Sequence, residues 1–347
     1  MPVFTSSATR PREELALAIV EGEGAVDNLI GEKILPSFGV NSRNAHFIKA
    51  TLADTQGLRS IAADKYIHAP GTVFERMTAK IGDDSFDVTL RGLEVVIPNE
   101  VQMDYAEYLD IELLFMRRFG MEVSGLTKEA LVAAAVFNTT NFGSATNSTT
   151  AYTVANLATM TPISDIVAAI RRVRAKGEAP DTVAMSGPVY ERIRQSAEAK
   201  AWITGTLGAG QQVTQNSLQQ ALAEFGIKQV LVGDSYQNTA ADGATPSLAQ
   251  LWSNTYIWVG KAGRQAAADT EGVNVPTLAG AGALIYWEEY QMGGKPGIIN
   301  SMTFDGGSYV ESYPESDKDS EVVRVKMSHK PYTSGTRSGD LIATQYA

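Results

Sequence analysis

Apolar residues recur every three or four positions between Glu100 and Gly120, at Met103, Ala106, Tyr108, Ile111, Leu114, Phe115 and Phe119, and this spacing predicts a helix. A second helical run, Leu126–Phe137, is rich in Ala and Leu, with Gly120 and Gly125 interrupting the passage between the two. Laid nearly end to end, the two helices make a long rod. An amphipathic helix gains little unless its apolar face is covered, so the extended segments on either side are expected to pack across the rod. One of them stands directly before it: Val95-Val96-Ile97, an apolar run stopped by Pro98.

Upstream the apolar pattern thins. Pro11–Glu21 carries Leu15, Ala18 and Ile19 on one helical face, and Gly22 and Gly24 end it. Leu29 to Pro36 is a second short apolar patch that includes Ile34. Neither is large enough to bury its own core, so the opening reads as an arm that packs on something else. His46–Thr51 predicts a strand, Asp54–His68 is polar and irregular, and Ala69-Pro70-Gly71 signals a turn before the extended runs Thr72–Ile81 and Phe86–Leu90. These segments predict a long hairpin with sparse apolar residues, which cannot be stable in isolation. Either it folds back on the core or it lies on a neighbouring subunit.

Downstream of the rod, Thr139–Thr153 reads as a linker rich in Thr, Asn, Ser and Gly. Helix and strand patterns then alternate. Helices are expected at Ser164–Lys176, capped by Ser164-Asp165, at Pro188–Ala199 and at Ser217–Phe225. Strands are expected at Thr182–Met185, Gln229–Gly233, Leu251–Gly260 and Ala283–Trp287, giving a compact mixed α/β unit from about 150 to 290. The end returns to β, with an alternating strand over Glu321–Met327 and a final short one over Asp340–Thr344, both expected to cover the rod.

Composition narrows the function. A chain of 347 residues, 44% hydrophobic, is long enough for about two domains. The absence of cysteine rules out disulfides, cysteine-built metal sites and cysteine nucleophiles. The start lacks the charged-then-apolar pattern of a signal peptide, and no apolar run reaches the roughly 18–20 residues of a membrane helix, so a cytoplasmic site of synthesis is expected. A formal net charge of −10 argues against a duplex-binding surface.

Chemical motifs are weak. His46, His68 and His329 lie far apart and outside any zinc-ligand spacing, and no serine sits in a Gly-x-Ser-x-Gly elbow. Gly205-Thr-Leu-Gly208-Ala-Gly210 lacks the Lys-Ser/Thr ending of a phosphate loop and reads as a surface loop. Asp317-Lys-Asp319-Ser-Glu321 opens like a calcium loop, but Val322 stands where glycine is needed and Ser328 where a bidentate Glu is needed. The aromatic residues of Leu251–Gly260 are expected in the core. No catalytic residue, metal site or cofactor is assigned.

The order of these elements resembles the major capsid proteins of tailed bacteriophages over nearly the whole chain. The resemblance is carried by Val26–Pro36, Ala69–Arg76, Gly92–Pro98, Ala179–Ser186, Val230–Asp234 and Val322–Met327, followed by Pro331-Tyr332 and Gly339–Ile342. It implies an α+β fold with an N-terminal arm (1–45), an extended loop (46–94), a peripheral domain with a long spine helix (95–149 and 291–347) and an axial domain (150–290). It also implies a homo-oligomer of pentamers and hexamers closing into an icosahedral shell around double-stranded DNA, bound without sequence specificity. The shell would form in the host cytoplasm and end in the virion, with a separate scaffolding protein, a portal and a decoration protein as partners and no membrane. Leu29 and Ile34 in the arm, and Arg59, Lys65, Tyr66, Phe74 and Arg76 in the loop, are the expected subunit-interface residues. Lys49, Lys65 and Lys80 lie in or beside that loop, where some relatives cross-link. The rival readings are an encapsulin-like protein compartment and a soluble α/β enzyme.

Overall fold

A computed structural model describes residues 29–49, 70–71, 82–105, 110–207, 212–241, 244–266, 277–288, 300–304 and 307–346. A one-turn helix, α1 (Gly31–Ile34), leads into β1 (Ser37–Val40). An antiparallel pair, β2 (Asn44–Lys49) and β3 (Gly82–Asp87), follows, and then the long strand β4 (Leu90–Pro98). The rod consists of α2 (Asn99–Tyr105), α3 (Ile111–Arg118), a π-helical turn (Phe119–Val123) and α4 (Ser124–Val136), with a short α5 (Thr139–Phe142) beyond it.

The middle of the chain supplies β5 (Thr146–Asn147), α6 (Pro162–Ala175), β6 (Thr182–Ser186), α7 (Gly187–Gln195), α8 (Ala197–Leu207), α9 (Gln215–Ala223) and β7 (Gln229–Gly233). A small hairpin of β8 (Tyr236–Asn238) and β9 (Leu248–Gln250) precedes β10 (Tyr256–Gly260), and β11 (Arg264–Ala266) pairs with β12 (Thr277–Ala279). The last strands are β13 (Gly282–Trp287), β14 (Asn300–Phe304), β15 (Ser308–Glu315), β16 (Ser320–Thr333) and β17 (Gly339–Ala343).

Two sheets carry the fold. In one, β16 is the long centre: β13 and β15 pair with it, β1 and β14 flank them, and β4 also runs antiparallel to β16 from Ser320↔Pro98 to Ser328↔Leu90. The rod lies across this sheet. Ile111, Met116 and Phe119 pack on Ile97 of β4, Val310 of β15, and Val323, Val325 and Met327 of β16. The expected cover for the rod is therefore present in β4 and in the alternating strand. Asp110 caps α3 by accepting from the Leu113 amide at 2.9 Å, and the rod then runs from Ile111 to Val136 without a break. Gly120 falls in the π turn and Gly125 inside α4, so neither glycine interrupts it. The widened turn takes up the extra residue where glycine would otherwise have stopped the helix.

The second sheet has the order β5-β17-β10-β6-β7, flanked by α6 to α9. Its core gathers Ile166, Ile170, Val183, Met185, Ile193, Leu218, Ile257 and Ile342. Here several expectations are corrected. The final strand does not cover the rod but sits between β5 and β10. Leu341 and Ile342 are both buried, one toward each side, and Asp340 is held by Arg172 Nε at 2.8 Å and Lys176 Nζ at 3.1 Å from α6. In return, Gly282–Trp287 leaves the α/β unit and joins the rod's sheet through β16. Helix α6 starts at Pro162, not Ser164: proline occupies its first turn, and Glu198 of α8 accepts from the Ile163 amide at 2.8 Å. The helix expected over Pro188–Ala199 is two helices, because Ser196 turns extended and its hydroxyl donates to Ile193 O at 2.7 Å while accepting from the Ala199 amide. The expected linker after the rod contains α5 and β5.

Candidate functional site

The Asp317–Glu321 stretch is a one-turn 3-10 helix and a left-handed Asp319, which accepts from Asn99 Nδ2 at 2.7 Å and so fastens the start of the rod. His46 is exposed, 3.8 Å from Asp83, and His329 is buried beside Tyr286. His68 and Gly208 to Gly210 lie outside the described residues. Trp252 and Trp258 are fully buried, the core placement expected for the aromatic strand. Burial and the neighbouring Asp165 carboxylate push the Tyr152 hydroxyl well above its usual range, and that hydroxyl donates to Asp165 Oδ2 at 3.2 Å. Among the described residues no cluster of three or more His, Asp or Glu is arranged to hold a metal.

Three surfaces remain as the functional candidates. The first is the root of the N-terminal arm. Glu129 of α4 is buried, and its carboxylate accepts from the backbone amides of Ile30 at 2.9 Å and Gly31 at 2.7 Å, and from Trp252 Nε1 at 2.7 Å. One side chain of the rod thus caps the helix at the arm's root and ties both to the region around the second sheet. Burial raises the Glu129 pKa, against the lowering effect of its three donors. Gly31 is needed there because a Cβ would lie 2.6 Å from Glu129 Oε2. Next to it, Lys128 pairs with Glu32 at 3.0 Å. Ile34 is fully buried with Val132 and Val136 in this core, so its side chain is spent inside the subunit, and Leu29 is half-buried.

The second surface is the base of the extended loop. β2 and β3 pair from Asn44↔Asp87 to Lys49↔Gly82, which is the base of the expected hairpin. It rests on the long strand of the first sheet: Phe47 meets Tyr332 edge-on with ring centroids 5.0 Å apart, and Tyr332 OH donates to Asp84 Oδ2 at 3.1 Å. Arg59, Lys65, Tyr66, Phe74 and Arg76, the expected interface residues of the loop, lie outside the described residues, as does Lys80.

The third was not found by sequence reasoning. Of the eight large apolar side chains exposed among the described residues, five lie within twenty-one positions of one another: Leu93, Val96, Val101, Met103 and Leu113. Met103 is 76% exposed although its periodicity had placed it on the buried face. The same run holds Glu94, Glu100, Asp104, Glu107, Asp110 and Glu112, with no Lys or Arg between Arg91 and Arg117. Val96, Val101 and Met103, exposed beside Glu100 where β4 leads into α2, are suited to a partner that is apolar and basic. The charge bias was readable in the sequence; the exposure was not.

Across β15, β16 and β4 the first sheet also carries an ionic network that is buried at Glu311 and opens to solvent at Glu94. Glu311, with its side chain 2% exposed, takes Arg324 Nη1 at 3.3 Å and Lys326 Nζ at 2.5 Å, and Arg324 reaches on to Glu94. It pins the edge strand β4 in register.

No protein-family model matches the sequence, and no curated protein matches it either. Solved structures do. The chain is similar to a phage-related protein from Bordetella bronchiseptica RB50, with 16% identity, 92% of each chain covered and a TM-score of 0.57. It is similar to the capsid protein of Myoviridae phage XM1, with 12% identity, 94% of this chain and 95% of that one covered and a TM-score of 0.53. The mature capsid of bacteriophage PhiM1 gives 12% identity, 94% and 91% coverage and a TM-score of 0.51. The chain therefore has the α+β fold of phage capsid proteins.

Proposed function

We propose that this chain is the major capsid subunit of a tailed, double-stranded DNA phage, a structural protein that assembles with copies of itself into an icosahedral shell. The observation that carries this reading is the shared fold over more than nine-tenths of the chain. In this reading the rod and the first sheet form the peripheral domain, and the second sheet with α6 to α9 forms the axial domain that gathers into pentamers and hexamers. The arm and the extended loop reach neighbouring copies. The loop has the complementary character: residues 49–80 carry Lys49, Arg59, Lys65, Arg76 and Lys80 against Asp54, Asp64 and Glu75, with Tyr66 and Phe74 as apolar anchors. The acidic and apolar run Leu93–Leu113 of the next subunit is the surface it fits.

The subunit performs no chemistry in this reading. It holds packaged DNA by enclosure rather than by binding, in keeping with its net charge of −10, and works with a separate scaffolding protein and a portal. Negative-stain microscopy and nucleic-acid quantification of purified particles test it. Closed shells from the protein alone or with scaffold, and DNA-filled shells from infected or induced cells, are expected. Discrete small oligomers would overturn it, and shells filled with a protein cargo would favour the encapsulin-like reading.

A further inference from the structure

The rod borders a partly open apolar groove on the side away from the first sheet. Leu126, Ala130, Ala133 and Phe137 follow one another at spacings of four, three and four, the spacing that seats a second helix, with Ala133 buried at the floor and Phe137 packed edge-on against Trp252 and Tyr256 at one end. The seam borders two adjoining cavities, of about 270 and 330 Å³, that are closed on the far side by Leu251 and Gln237. Leu126, Ala130 and Phe137 are only half-buried, and Ala134 at the seam's edge is exposed. Ala130 and Ala134 leave room for close approach of another backbone, and the cavities leave room for larger side chains beside them.

The arm enters the body beside this seam. Ile30 and Trp252 are both hydrogen-bonded to Glu129, whose neighbour Ala130 lines both cavities, and Leu251, next to Trp252, closes them. The eight steps from Glu21 to Leu29 span up to about 27 Å when extended. The groove from Leu126 to Phe137 is about 17 Å long. The tether therefore reaches every part of it. Pro11–Glu21, read from sequence as a short amphipathic helix, presents Leu15, Ala18 and Ile19 at the matching three-and-four spacing, and Gly22 and Gly24 allow the chain to reverse before the root.

We propose that the seam of α4 is a docking groove for the subunit's own N-terminal segment Pro11–Glu21, which covers it before the subunit engages any other copy. The groove is filled from within the chain, and the segment is kept off other copies until it is released.

Because the chain contains no cysteine, paired cysteines report the contact cleanly. Full-length protein carrying Ala134→Cys with Ile19→Cys or with Leu15→Cys is oxidised at low concentration, and Ala134→Cys with Glu13→Cys, on the opposite helical face, is the comparison. Non-reducing electrophoresis and mass spectrometry on mixtures of isotope-labelled and unlabelled subunit separate links within a chain from links between chains. The expected result is a link within one chain, several-fold more abundant for Ile19 and Leu15 than for Glu13. Links between chains would assign the groove to a neighbour's arm and overturn the proposal, as would equal yields at all three positions. Independently, removing residues 1–21 should speed maleimide labelling of Ala134→Cys several-fold, and an unchanged rate would overturn it.

Discussion

The two sheets differ in how they treat their own apolar residues. In the second sheet every residue of β6 is buried, as are the first four of β17, and helices cover the flanks. In the first sheet the edge strand β4 buries only Ile97 of its nine residues, and in the β2–β3 pair that rests on this sheet β3 buries none. The second sheet completes its own core. The first completes one face against the rod and leaves its edge, the loop base and the run to Leu113 unfinished. A subunit built this way can be stable alone through one half and still need another copy for the other. The loss of a buried side chain should then be felt as instability, and the loss of an open one as a failure to assemble.

The largest expected effect lies at the end of the loop. Replacing Gly57–Lys65 by a short Gly-Ser link should leave a soluble, folded subunit, because both sheets keep their cores, yet abolish closed shells. Circular dichroism with sedimentation velocity decides: normal shells would show that the loop is not a clamp between subunits, and unfolding would show that it belongs to the core.

A matched pair of point substitutions sharpens the contrast. Ile170→Ala, in the core between α6 and the second sheet, should cost about 2–5 kcal/mol in urea unfolding. Met103→Ser, on the open run, should stay within about 0.5 kcal/mol of the parent while lowering the yield of shells. If Met103→Ser destabilises as much as Ile170→Ala, the run is not open in the free subunit.

Glu129→Gln probes the joint between the halves. One amide oxygen cannot serve three donors, and the new NH2 group faces N–H groups, so a loss of about 1–3 kcal/mol is expected in thermal or urea unfolding. The smallest effect is the pH dependence of the same residue. Because burial raises the Glu129 pKa above its ordinary 4.5, the folded state holds that proton more tightly than the unfolded chain. The corresponding stability is fully present below about pH 4.5 and is lost as the pH rises through the folded value. Urea unfolding between pH 4 and 7, compared with that of Glu129→Gln, should show this slope in the parent only.

Legibility in the sequence follows the same division. Gln229–Gly233 was read to the residue, since a short apolar run bounded by Gly is buried on both faces and leaves no alternative. The rod was read from periodicity, but its continuity through Gly120 was not, because the π turn that carries the chain past it leaves no local pattern. The start of α6 depends on Glu198, thirty-five positions from Ile163, and the exchange of Gly282–Trp287 and Gly339–Ala343 between sheets depends on partners more distant still. Of the candidate surfaces, the arm and the loop are expected from segments with too few apolar residues to stand alone, and apart from the arm's root and the loop's base both lie outside the described residues. The Glu129 cap was invisible, because a single Glu inside an Ala-rich helix looks like a solvent-facing residue. Met103 was misplaced because periodicity assigns a face without saying whether anything packs on it.

The central claim is that the open run Leu93–Leu113 is covered by another copy of the same chain in a closed shell. A cryo-electron microscopy reconstruction of assembled particles at side-chain resolution tests it most directly. The account predicts closed icosahedral shells in which Val96 and Met103 lie beneath the extended loop of a neighbouring subunit, with a basic residue of that loop against Glu100. Shells in which this run faces solvent on every subunit would contradict it.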